Sequence, residues 1–257
     1  MYLFEFLPTT LFHTLFVLDP SPINDNGTVI RVAREIAAAL EYLHTAAPRR
    51  IVHHDLKPEN VMLTDTLQAK LIDFGLASTV ATYLTSKAGL SAAASYGGGG
   101  TLGYMPPEKL ELKHMGSDAA LRATLSRKVD VYSYGVILWQ LATKKIPFAD
   151  VPHADHLRAL VKSGAPLPSH PSLTPALAVL VEACRALDPA QRPDIAVVST
   201  CLQACQHPDT GPDVITRIVS KSLAASPRQV RSRAGSRAAM VWRTVFSIVT
   251  TVLWHRI

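Results

Sequence analysis

The chain has 257 residues, 48% apolar and 18% charged, which is long enough for a sizeable core and excludes a collagen-like or low-complexity polypeptide. Its net charge of +6 is unevenly spread: residues 214–257 carry eight basic side chains and no acid, leaving 18 basic against 20 acidic residues in 1–213. The body is therefore near neutral, which argues against a nucleic-acid-binding surface. Three cysteines, Cys184, Cys201 and Cys205, are few and odd in number, which fits free thiols in a reducing, cytoplasmic setting.

In chain order, Met1–Leu18 is apolar but lacks a basic start and a small-residue cleavage site, so it does not read as a signal peptide. Tyr2–Phe6 reads as a short buried strand and Thr9–Leu18 as a short helix or helical turn. Pro20, Pro22, Asn24, Asp25, Asn26 and Gly27 make a loop. Val29, Ala33, Ile36, Ala37, Leu40 and Leu43 then recur at helical spacing, with Pro48 beyond the end. Short strands are expected at Ile51–Val52, Val61–Leu63 and Lys70–Ile72. Residues 76–100 form a long polar loop ending in four glycines, Gly97–Gly100.

Val129–Thr143 is apolar almost throughout and predicts a helix buried on most sides. Further helices are expected near 154–163, 174–187 and 194–206. Cys201 and Cys205 lie four apart on the last of these with no second ligand pair nearby, so they read as buried thiols. His153 and His156 beside Asp155 read as surface residues. After Asp213 the pattern weakens, and residues 221–237, rich in Ser, Ala and Arg, read as disordered. The stretch 238–254 is apolar apart from Arg243 and short of the ~20 residues that a membrane span needs. A tail anchor, a surface-lying amphipathic helix and an unpacked end all stay open, so membrane contact through 238–254 is one reading among three.

The chemistry is concentrated in His53-His54-Asp55-Leu56-Lys57-Pro58-Glu59-Asn60 and, thirteen residues after Asn60, Asp73-Phe74-Gly75. Phosphoryl transfer needs a carboxylate to orient and deprotonate a hydroxyl, a cation near the moving phosphate, and oxygen ligands for magnesium. The two motifs in register resemble the catalytic loop and metal-binding loop of the eukaryotic protein kinase family. Three more stretches resemble that family: Thr101-Leu102-Gly103-Tyr104-Met105-Pro106-Pro107-Glu108, the end of an activation segment with Pro106 in place of alanine; Asp130–Val136, the central helix; and Leu187–Pro193, the late arginine loop.

The resemblance implies an α+β, mainly α fold: the kinase C-terminal lobe, residues 1–213, with a small β-sheet at the catalytic loop, followed by a basic tail, 214–257. It implies the cofactors ATP and Mg2+ and a protein substrate. Asp55 would accept the hydroxyl proton, Lys57 would neutralise the transferred phosphate, and Asn60 and Asp73 would hold magnesium. Met62 would lie under the adenine, and Glu5 to Leu7 would offer it backbone hydrogen bonds, with Phe4 guarding the back pocket. An ordinary core strand is the alternative for Tyr2–Leu7. His53 and Phe74 would stack, Asp130 would hold the catalytic-loop backbone, and Glu108 would pair with buried Arg192. Lys57 and Gly100-Thr101-x-x-Tyr104 look Ser/Thr-specific. Ile137-Leu138-Trp139 and Asp188-Pro189-x-x-Arg192-Pro193 resemble the tyrosine-kinase-like branch.

Two departures stand out. The family's glycine-rich phosphate loop, strand lysine and helix glutamate should precede the hinge, yet the sequence starts at the presumed hinge, so the N-terminal ATP-covering lobe is expected to be missing and activity to be low. A catalytically inactive, partner-binding kinase-like module is the alternative reading. His54 stands where most members have arginine, which puts control by activation-loop phosphorylation in question; Thr79, Thr82, Thr85, Ser86, Ser91 and Ser95 read as ordinary loop residues.

Overall fold

The computed structural model describes residues 7–47, 50–79, 102–111, 126–207 and 209–225. It is mainly helical, with two small antiparallel sheets. Strand β1 (Thr9–Thr10) leads directly into α1 (Leu11–Phe16), where Thr10 caps the helix by accepting from the His13 amide at 3.0 Å. The expected helix over Thr9–Leu18 is thus shortened at both ends. Its first two residues are claimed by strand pairing. The expected strand Tyr2–Phe6, with Phe4 and Glu5, lies outside the described residues.

Helix α2 (Asn26–Glu41) starts where Asp25 accepts from the Thr28 amide at 2.9 Å. Its inward face is the periodic set read from the sequence, widened by Ile30, Val32 and Ala39. A single π turn, Tyr42–Ala46, ends it and brings His44 into the interior. Strands β2 (Ile51–Val52), β3 (Val61–Leu63) and β4 (Ala69–Leu71) follow. The order β1-β3-β4 is antiparallel, with Thr9 opposite Leu63 and Val61 opposite Leu71. Strand β2 pairs instead with β5 (Ser78–Thr79), inside the stretch expected as loop. The rest of that loop, 80–100, lies outside the described residues, and with it the glycine run and Thr82, Thr85, Ser86, Ser91 and Ser95.

After α3 (Pro107–Glu111) comes the centre of the molecule, α4 (Lys128–Thr143). Every residue from Val129 to Thr143 is buried, so this helix shows no amphipathic stripe, as the sequence predicts. Three of its polar side chains bond other elements: Ser133 Oγ donates to Tyr104 O at 2.8 Å, Tyr134 Oη to Ala33 O at 2.8 Å, and Trp139 Nε1 to Pro168 O at 3.0 Å. Around it lie α5 (Ala154–Lys162), α6 (Pro175–Cys184) and α7 (Ile195–Ala204). Gly135 lets α4 and α6 approach closely, since a Cβ there would sit 2.7 Å from Cys184 Cβ. Cys184, Cys201 and Cys205 are buried free thiols in this layer, and burial raises the pKa of each.

One further helix, α8 (Pro212–Ala224), starts before the domain boundary read after Asp213 and runs past it, packing on α6 and α7 through Ile215 and Val219. The sequence pattern looked weak there because few positions point inward; residues 214–224 nevertheless join the body. Residues 226–257, including the apolar run 238–254, lie outside the described residues. Among the described residues no helix is long and apolar enough to cross a membrane.

The expected ion pair forms. Arg192, 0% exposed, donates Nη1 to Glu108 Oε1 at 2.6 Å and Nη2 to Glu108 Oε2 at 2.8 Å. Its remaining donors reach Ala186 O at 2.8 Å, Lys128 O at 3.0 Å and Leu187 O at 3.3 Å. All five guanidinium N–H groups are therefore satisfied. Removing one partner of such a pair strands the other charge. Arg192→Ala or Glu108→Ala should each cost about 3–5 kcal/mol in denaturant unfolding, and the apolar pair Arg192→Met with Glu108→Leu should cost clearly less than their sum.

Candidate active site

The motif His53–Asn60 sits between β2 and β3, on a loop whose regular hydrogen bonding is confined to one 3-10 turn at Pro58–Asn60. A buried carboxylate supplies the missing partners. Asp130, 1% exposed near the N-terminus of α4, accepts from the His53 amide at 2.8 Å, the His54 amide at 2.9 Å and His44 Nε2 at 2.8 Å. Burial by itself raises an aspartate's pKa; here the His44 hydrogen bond and the neighbouring histidines outweigh it and hold Asp130 below the usual carboxylate range.

This clamp holds an unusual backbone at His54, which adopts φ +68°; Asp73 is likewise left-handed at φ +59°, a conformation uncommon for non-glycine residues. The turn at His54 presents Asp55, whose Oδ2 lies 2.9 Å from Lys57 Nζ and 3.0 Å from Asn60 Nδ2. Asn60 Nδ2 also donates to Asp55 O at 2.7 Å, which fixes the amide's orientation and leaves its Oδ1 as an acceptor. The expected catalytic residues Asp55, Lys57 and Asn60 are thus brought together.

Asp73 is joined to them through backbone. Ile72 N donates to Asn60 O at 3.0 Å, and His53 Nε2 donates to Ile72 O at 3.0 Å. With Nε2 as donor, His53 Nδ1 is the acceptor for the Asp55 amide at 3.3 Å. The His53 and Phe74 rings meet at 5.1 Å between centroids, tilted by 49°, as expected of the pair. Asp73 itself is exposed, and its Oδ1 accepts from Gly75 N at 3.2 Å. Carboxylate and amide oxygens are hard donors of the kind magnesium takes, so the chemistry of Asp73 and Asn60 is compatible with that ion. Met62 is half-buried in β3, opposite Thr10 and Lys70, and Leu7 is half-buried ahead of β1. Glu5 lies outside the described residues.

Two residues in this network carried no functional signal in the sequence. His44 sits at the end of an apolar helix face, where a buried histidine looks like core. Lys109 follows Glu108 and donates Nζ to His54 O at 2.8 Å. Only adjacency to a motif could have pointed to it.

His54 has its pKa pushed down to about 3, by burial first and the Lys109 charge second. The folded chain therefore keeps it neutral while the unfolded chain protonates it near the ordinary value of 6.5. Its contribution is complete above pH 6.5 and is lost as pH falls from there towards 3, at up to about 1.4 kcal/mol per pH unit. Denaturant midpoints at pH 7, 6 and 5 should show this loss in the wild-type chain and a shallower one in His54→Gln.

The family model for the protein kinase domain matches residues 1–208. Serine/threonine/tyrosine-protein kinase HT1 of Arabidopsis thaliana is 32% identical over 176 residues, 68% of this chain and 40% of the relative. Receptor-interacting serine/threonine-protein kinase 2 of Bos taurus is 35% identical over 134 residues, 52% of this chain and 23% of the relative. The leucine-rich repeat receptor-like serine/threonine/tyrosine-protein kinase SOBIR1 of Arabidopsis thaliana is 36% identical over 193 residues, 69% and 28% respectively. The chain spans less than half the length of each of these three relatives. These names are compatible with the tyrosine-kinase-like branch, and the match over residues 1–208, with the loop geometry above, establishes that the chain belongs to the protein kinase family.

Proposed function

We propose that this chain carries the catalytic machinery of a serine/threonine protein kinase that transfers the γ-phosphate of Mg-ATP to a protein hydroxyl. The observation that supports this most directly is the Asp55 carboxylate with Lys57 Nζ at 2.9 Å and Asn60 Nδ2 at 3.0 Å. Asp55 takes the proton of the acceptor hydroxyl as its oxygen bonds to the γ-phosphorus and the bond to the departing ADP oxygen breaks. Lys57, already beside that carboxylate, stabilises charge on the moving phosphoryl group. Asn60 and Asp73 hold magnesium, which supplies neutralisation of phosphate charge when bound. Met62, Leu7 and Glu5 are assigned to the adenine side of the cleft. Lys57 and the Thr101–Tyr104 run support serine or threonine as the acceptor. A cytoplasmic location belongs to the same proposal, supported by three buried free thiols.

Calorimetric titration of the full chain with Mg-ATP tests the reading, alongside a transfer assay on a serine- and threonine-containing protein acceptor. Asp73→Asn should lose nucleotide affinity. Asp55→Asn should keep it within about twofold and lose transfer by roughly 10²–10⁴, the range for removing a general base. A folded wild-type chain that binds no Mg-ATP at millimolar concentration would refute the reading of this chain as an enzyme by itself and leave a partner-binding module or a part of a longer kinase.

A further inference from the structure

We infer that Lys109 is a positioning residue for Asp55, a cation from this chain that locks the strained turn of the catalytic loop to the end of the activation segment. The inference rests on the kinase reading for its catalytic consequence, but its structural content stands apart from it. His54 is the residue held at φ +68°. Its amide is taken by Asp130 Oδ1 at 2.9 Å, and its carbonyl accepts from Lys109 Nζ at 2.8 Å. The next carbonyl, that of Asp55, accepts from Asn60 Nδ2 at 2.7 Å. The turn is thus held from three sides, by the central helix, by the catalytic loop itself and by α3. Of these three contacts, the Lys109 one comes from the segment anchored through Glu108 to Arg192.

Burial lowers the pKa of the Lys109 ammonium, and the charges of Asp130 on α4, Asp55 on the loop and Glu108 on α3 oppose that shift without cancelling it. A donor that bridges two segments transmits their relative placement: if α3 shifts, the His54 carbonyl loses its partner and the left-handed turn loses one of its restraints. A charged donor makes a stronger bond to that carbonyl than a neutral one would.

The test is amide hydrogen exchange on the full chain for Lys109→Met, with Lys109→Arg as the conservative variant and Lys109→Gln as a second one should methionine impair folding. Protection at the His54 and Asp55 amides should fall roughly tenfold or more, the worth of a lost charged hydrogen bond, while Val136–Leu138 in α4 change by less than about twofold. Lys109→Arg should regain most of the protection. In the transfer assay kcat should fall by a similar factor with KM for ATP unchanged. Unchanged protection at His54 and Asp55 in Lys109→Met would overturn the inference whatever the chain's activity. Lost protection in a chain whose wild type transfers no phosphate would uphold it and count against the kinase reading alone.

Discussion

A single buried carboxylate organises the site. Taking an aspartate out of water is costly unless its charge is met by donors, and Asp130 meets three, two of them consecutive backbone amides of the catalytic loop. The dependence runs both ways. Asp130 tolerates its burial because the loop comes to it, and the loop adopts a left-handed turn because Asp130 holds it there. The helix beneath is buried on every side, so the anchor has little freedom to follow a loop that moves.

The second fixed point is Arg192, which ties the end of the activation segment to the start of the same helix through Glu108 and Lys128 O. Lys128 closes this region by donating Nζ to Arg192 O at 2.6 Å and pairing with Asp194 at 2.8 Å. Both the catalytic loop and the activation segment are therefore referred to the N-terminal turn of α4. Their relative placement follows from two short links to one rigid element, to which the Lys109 Nζ to His54 O bond adds one direct contact between them.

Much of this was legible in the sequence because it was carried by side chains with few chemical alternatives. Asp55, Lys57, Asn60 and Asp73 announce themselves by spacing, and the all-apolar Val129–Thr143 announces a central helix. What escaped was carried by backbone geometry or by single residues. Two-residue strands such as Thr9–Thr10 and Ser78–Thr79 have no periodicity to detect; they exist because a distant strand offers partners. Helix Pro212–Ala224 buries chiefly Ile215 and Val219, too few positions to stand out against a basic, serine-containing stretch. Lys109 looked like any surface lysine beside a motif until the fold turned its ammonium towards His54.

The three thiols packed beneath the central helix have a consequence of another kind. Cys184 and Cys201 are wholly covered, and burial disfavours the thiolate that electrophiles attack. Gly135 packs closely against Cys184 Cβ, so the α4–α6 seam is tight at that residue. A thiol-directed probe can therefore reach Cys184 during excursions in which the packing around α6 opens. The rate at which it is captured is a clock for those excursions, wound into the chain without any added label.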